Sequence, residues 1–205
     1  MSEGEAGRLE VFTVGHSNVR QEAFIALLKT HGIEVLVDVR SAPYSKYVPH
    51  FNGDTLKRAV VAAGIKYLYL GRELGGRPAE PGFYDACGHV RYDLVAKSAA
   101  FVGGIERLVR GIAEHRVALM CNEEDPSECH RRLLVGRVLA EHGVAVRHIR
   151  GDGRIQSEPD LADQEAKRGH AASQQEFAFA VKEEPEWKST RSVSRAGPRK
   201  RSSGS

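Results

Sequence analysis

The chain has 205 residues, 41% of them hydrophobic, with a formal charge of +3 at neutral pH. That length fits one domain with extensions, and the apolar content can build a core of roughly 150 residues without covalent staples. No apolar run approaches the roughly 18 residues needed to span a bilayer, and Met1-Ser2-Glu3-Gly4-Glu5 lacks the basic start and apolar stretch of a signal peptide.

An apolar run over Leu9–Val14 reads as the first strand and ends in Gly15-His16-Ser17-Asn18. Ala23, Phe24, Ala26, Leu27 and Leu28 give an amphipathic helix that stops near Gly32. Glu34–Val39 is a second, β-branched strand, followed by Arg40-Ser41-Ala42-Pro43. Asn52-Gly53-Asp54 offers a cap for a helix through Ala63, closed by Gly64. Ile65–Leu70 is the third strand and opens into a long loop, Gly71–Gly82. A helix over Ala96–Glu114 precedes strand Arg116–Met120. After the loop Cys121–Glu128, a helix to about His142 stops at Gly143, and Val144–Ile149 is the last strand.

This alternation over residues 9–153 predicts a three-layer α/β fold: a mostly parallel sheet of about five strands with helices on both faces. Ligands of such sheets bind outside the carboxyl ends of the strands. The polar residues collect there, with His16 after the first strand, Asp38 and Arg40 after the second and Cys121 after the fourth. Beyond Gly153 the pattern fails. Residues 154–205 read as a polar tail without its own core, able to keep a helix at Asp160–Lys167 or Ser173–Lys182 only if docked. Lys188–Ser205 carries six Lys or Arg and no acid. Residues 1–8 read as a flexible N-terminus.

Cys121 through Arg132 is the densest run of functional groups. Cys121 ends a buried strand, while Cys129, His130 and Arg131 fall where a helix should begin, with Asp125 or Ser127 as its cap. A helix N-terminus and adjacent arginines lower a thiol pKa, so either cysteine can be a reactive thiolate; each also suits a small buried gap. Three cysteines in all (Cys87 is the third) are an odd count, better read as thiols or metal ligands than as disulfides, and a cytoplasmic setting is expected. Cys121, Cys129, His130 and His16 offer metal donors. The spacing matches no common zinc pattern, however, and adjacent helical residues such as Cys129 and His130 point about 100° apart. No metal or other cofactor is expected, with a Cys/His-bound ion as the alternative.

Gly15 permits a tight turn, and the backbone at Ser17 could hold an anion with His16 as acid, base or donor. Asp38 and Arg40 share one face of their strand, as an orienting pair or a structural ion pair. Pro43–Phe51, with Tyr44 and Tyr47, reads as a binding loop or a plain connection. Gly71–Pro78 could bring Arg72 or Arg77 to an anion, but it lacks the form of a P-loop, and no dinucleotide glycine motif follows the first strand.

The order Val14-Gly15-His16-Ser17, Asp38-Val39-Arg40 with Pro43, Leu74-Gly75-Gly76, Cys121-Asn122-Glu123 through Cys129-His130-Arg131, and Val146-Arg147-His148-Ile149 resembles the DUF488 family. The resemblance covers about residues 9–153 and implies an α/β fold with one shared polar site. Val35–Arg40 and the strand–Cys121–loop–helix arrangement bear a weaker likeness to the rhodanese superfamily. There the corresponding loop is a cradle of backbone N–H groups for an anionic persulfide. Here Glu123, Glu124, Asp125 and Glu128 would repel that anion, and Pro126 removes a donor.

The expected function is therefore an enzyme acting on a small anionic substrate. Cys121 or Cys129 would be its thiol, His16 or His130 its proton carrier and Asp38 the orienting acid. Arg40, Arg131, Ser17, Glu123 and Tyr44 would contact the substrate. The competing expectation is a non-catalytic nucleotide- or nucleic-acid-binding module using the basic tail. No membrane partner is expected, and no sequence feature fixes an oligomeric state.

Overall fold

The computed structural model describes residues 9–173 and 186–192. The expected flexible N-terminus and the tail segments 174–185 and 193–205 lie outside the described residues. The strands are β1 (Glu10–Gly15), β2 (Val35–Asp38), β3 (Lys66–Tyr69), β4 (Val117–Cys121), β5 (Ala145–Ile149) and β6 (Ile155–Ser157). They form one sheet in the order β3-β2-β4-β1-β5-β6, parallel throughout except for the antiparallel edge strand β6. The five predicted strands are present with ends displaced by at most one residue.

Strict alternation along the strands splits the core into two layers. Val11, Val35, Val37, Val117 and Leu119 face one side, where α5 (Ala99–Glu114) buries Phe101, Ile105, Leu108 and Ile112 against them. Those four positions repeat every three or four residues, the period of one helix face, and each buried side chain contributes roughly 1.5–3 kcal/mol. Ser98 caps this helix by accepting from the Phe101 amide at 3.3 Å. Phe12, Leu36, Ala118 and Met120 face the other side, beneath α1 (Gln21–Thr30) and α2 (Gly53–Ala62), which supply Phe24, Leu28, Leu56 and Val60. Gly32 and Gly64, at φ +64° and +86°, end these two helices in the left-handed conformation that glycine tolerates.

The expected long loop after β3 contains the short α3 (Gly71–Leu74), and α4 (Tyr92–Val95) precedes α5. The helix expected after the Cys121 loop starts later than its sequence suggests. Pro126–Glu128 is a 3-10 turn, Arg131–Gly136 is a π-helical turn, and only α6 (Arg137–Glu141) is α-helical.

Within the tail, β6 corrects the expectation at 155–157, while the helix expected at Asp160–Lys167 on condition of docking is present. β6 pairs with β5, and α7 (Glu158–Ser173) packs against the body through the fully buried Leu161. Arg132 pairs with Glu158 at 2.9 Å and Glu165 at 2.7 Å, while Glu158 also meets His148 at 2.7 Å. Among the described residues, one apolar anchor and a half-buried ion-pair cluster dock a helix too polar to stand alone. Residues 186–192 return to the body as well. Lys188 bridges Arg91, Ser189 N–H donates to the Val90 carbonyl at 2.9 Å, and the Trp187 indole N–H donates to the Leu133 carbonyl at 2.8 Å.

Candidate functional site

The sheet order sets β4 between β1 and β2, so Gly15 lies beside Cys121 and Asp38 beside Met120. Above these carboxyl ends opens a cleft of about 320 Å³. Cys121, Glu123, Cys129 and His130 form its floor, while Arg77, Tyr92 and the Ser189–Arg191 segment belong to its walls.

Side-chain parity along β4 decides which face carries the thiol. Leu119 and Cys121 point to the α5 side, and Met120 to the other. Cys129 reaches the same place because it is not helical. Asp125 caps the preceding 3-10 turn through the Ser127 amide, and Cys129 leaves that turn extended, at φ −113° and ψ 135°. His130 therefore does not diverge from Cys129 as two helical neighbours would. Its Nδ1 lies 3.6 Å from Cys121 Sγ and 4.0 Å from Cys129 Sγ. Glu123 Oε2 sits 3.0 and 3.2 Å from the same two sulfurs. His130 Nε2 is 2.9 Å from the Val39 carbonyl, to which only an N–H can donate, so in the neutral ring Nδ1 carries the lone pair that faces the thiols. The ring also packs against Gly76, where a Cβ would come within 2.5 Å of it.

Both sulfurs are buried and close enough to influence each other's ionisation. Burial opposes ionisation of Cys129, but the neighbouring Cys121 thiol, Arg131 and His130 outweigh it and hold the Cys129 thiol well below its ordinary pKa. The Cys129 neighbour, reinforced by burial, pushes the Cys121 thiol well up. Burial disfavours a charged His130, yet the Cys129 thiolate outweighs it and raises the imidazole pKa. Such a thiolate–imidazole pair can act as a nucleophile with its proton partner or as a soft donor set.

His16, Asp38 and Arg40 form a second cluster, directed to the α2 side. Arg40 donates to Asp38 through Nε at 2.9 Å and Nη2 at 2.6 Å, and through Nη2 to the Phe51 carbonyl at 2.9 Å. Arg40 Nη1 lies 3.1 Å from His16 Nε2. His16 stacks on Phe51 with centroids 4.1 Å apart, and its Nδ1–H donates to the Ser17 carbonyl at 2.7 Å. Burial first, and then the Arg40 charge, lower the His16 pKa from 6.5 to about 4, so the ring is neutral. Arg40 is the link between the clusters, because it also borders the cleft.

Three expected substrate contacts fall elsewhere. Arg131 is completely buried, and its guanidinium donates to the Glu123 and Glu124 carbonyls, the latter at 2.7 Å, and to Thr13. It holds the acidic loop in place and is not offered to a ligand. Tyr44 is 75% exposed, and neither it nor the exposed Ser17 borders the cleft. Sequence reasoning missed Tyr67, whose hydroxyl donates to Asp38 at 2.7 Å, and Tyr92, whose pKa is raised by burial and then by the Cys129 charge. Tyr67 carried a signal in its register, one strand over from Leu36. The Ser189–Arg191 wall carried none.

Fold and site together define a three-layer α/β protein with a thiol–imidazole–carboxylate cleft at the strand carboxyl ends. Residues 20–138, more than half of the chain, match the family described as "Domain of unknown function DUF488". The chain belongs to that family. No curated protein and no solved structure matches it, and the weaker rhodanese likeness gains no support from these comparisons. Among the described residues no helix is long and apolar enough to cross a membrane.

Proposed function

We propose that this chain is an enzyme that binds a small anionic substrate in the cleft above Cys121, Glu123, Cys129 and His130. The observation that carries the reading is the convergence of two sulfurs, an imidazole lone pair and a carboxylate on the floor of one cleft. Functional groups with perturbed pKa values concentrate at reacting centres, and here they meet where an α/β sheet takes its ligands. Arg77 supplies the anion contact: it is exposed at the wall, and its side chain has no ion pair among the described residues. Asp38 acts through Arg40, and His16 is a neutral hydrogen-bonding group and not a proton carrier near pH 7. Two neighbouring free thiols suit a reducing, cytoplasmic setting.

A nucleic-acid module is the second reading, and the basic run Lys188–Arg201 is its support. Of that run, the two described cations already face acids: Lys188 meets Asp85 and Glu186, and Arg191 meets Glu128. The enzyme reading is preferred for that reason.

Anion binding is tested by titrating inorganic phosphate, sulfate and citrate into the full chain and following NMR shifts or heat. A charged hydrogen bond contributes about 1.5–3 kcal/mol, so Arg77→Ala should weaken binding by roughly 10- to 100-fold, and Arg110→Ala on the outer face of α5 should not. No saturable binding by any of the three anions, or equal binding by Arg77→Ala, would overturn the proposal.

A further inference from the structure

We propose that Cys121, Cys129 and His130 bind a zinc-like divalent ion, leaving a fourth coordination position open to the cleft beside Glu123. The donor atoms of these three residues lie within 4.8 Å of one another. In a tetrahedral site with Zn–S of about 2.3 Å and Zn–N of about 2.0–2.1 Å, sulfur and nitrogen stand about 3.6 Å apart. The observed separations of 3.6 and 4.0 Å need only a small contraction to reach that geometry.

The surroundings of the three residues fit the same role. A histidine ligand usually donates its other ring N–H to a carbonyl or carboxylate, which fixes the tautomer and aims the lone pair at the ion. The contact of His130 Nε2 with Val39 does this, and Gly76 pins the ring from the other side. Cys129 is extended and Cys121 ends a central strand, so the backbone holds both sulfurs in place before any ligand arrives.

The donor types point the same way. The two sulfurs lie 3.0 and 3.2 Å from the Glu123 carboxylate. The Arg131 guanidinium beside them is committed to loop carbonyls and Thr13. A divalent ion would take the place of the thiol protons. Two thiolates and an imidazole favour a soft or borderline ion over magnesium or calcium.

Glu123 Oε2 lies closer to both sulfurs than a fourth tetrahedral oxygen would, which makes it a neighbour of the ion and not a ligand. It is placed to accept a hydrogen bond from a water or substrate group in the open position. Three protein ligands with one free position mark a catalytic rather than a structural site. That last point rests on reading the cleft as the working site, whereas the donor set stands without it.

The test is elemental analysis of the full chain produced with zinc and purified without chelators. The expected result is about one zinc per chain, retained by Arg77→Ala and Glu123→Gln and lost from Cys121→Ser, Cys129→Ser and His130→Ala. Cobalt replacement should give sulfur-to-metal charge-transfer absorption and the strong visible bands of a four-coordinate ion. The cobalt reading needs no variant to fold.

Wild-type protein that carries no zinc and takes up neither zinc nor cobalt would overturn the proposal. Loss of zinc from Glu123→Gln would overturn the open position. A loaded protein that binds no anion would refute the functional reading of the cleft and leave the ion site intact.

Discussion

Gly15 is the residue on which the position of the acidic loop turns, and Gly15→Ala tests that directly. A Cβ there would lie 1.7 Å from the Glu123 carbonyl oxygen and 2.7 Å from the Glu124 Cα, whereas real contacts essentially never fall below 3.0 Å. These atoms are backbone, so no rotamer change relieves the clash. The loop must retreat, and it takes away the two carbonyls that satisfy Arg131. Stranding a buried guanidinium costs about 3–5 kcal/mol, a large part of the roughly 5–15 kcal/mol that holds an ordinary domain together. Urea unfolding followed by the fluorescence of Trp187, the single tryptophan, should show the midpoint falling by about 2 M, given slopes of roughly 1–3 kcal/mol per molar urea. Gly103→Ala serves as the control. It is exposed on α5, with nothing within 4 Å of the added carbon, and should be neutral or stabilising by about 0.5–1 kcal/mol. A Gly15→Ala midpoint within experimental error of wild type would refute the account of how the loop is held.

Two further outcomes follow from other parts of the structure. His16 binds a proton at lower pH in the folded chain than in the unfolded one, at about 4 against 6.5. Its contribution is therefore complete above pH 6.5 and is lost as pH falls toward 4, by about 2–3 kcal/mol over that interval. The stability gap between wild type and His16→Gln should shrink by that amount between pH 7 and pH 4 in parallel urea titrations; a constant gap contradicts the neutral ring. Trp187→Phe removes the N–H that reaches the Leu133 carbonyl and weakens the stacking of Arg137, 4.3 Å from the indole centroid. Its cost should be about 1 kcal/mol by circular dichroism, and no change would mean that the 186–192 segment is not docked in solution.

Much of the architecture could be read from periodicity. The β-branched runs placed all five parallel strands, and Gly32 and Gly64 marked two helix ends, because alternation and left-handed glycines are local properties. The cleft's location followed from the rule for strand ends. Its internal chemistry did not, because single residues break local expectations there. Pro126 forces a 3-10 turn, so Cys129 is extended and turns toward Cys121 and not along a helix. Arg131 looked like an anion contact, but its partners Glu123, Glu124 and Thr13 become neighbours only through the fold. Helix α7 was legible as a helix at Asp160–Lys167, but its docking was not: among the described residues its hold on the body depends on the apolar anchor Leu161 and on the distant Arg132.

The Ser189–Arg191 wall has a consequence for the order in which the molecule is made. A chain leaving the ribosome can pair β1 with β4 and bring Cys121, Cys129 and His130 together while residues 186–192 are still inside the exit tunnel. During that interval the floor of the cleft can be assembled before the Ser189–Arg191 part of its wall is in place. Docking of Trp187 and Ser189 then completes the wall, so the last part of the cleft to form comes from the last described segment of the chain.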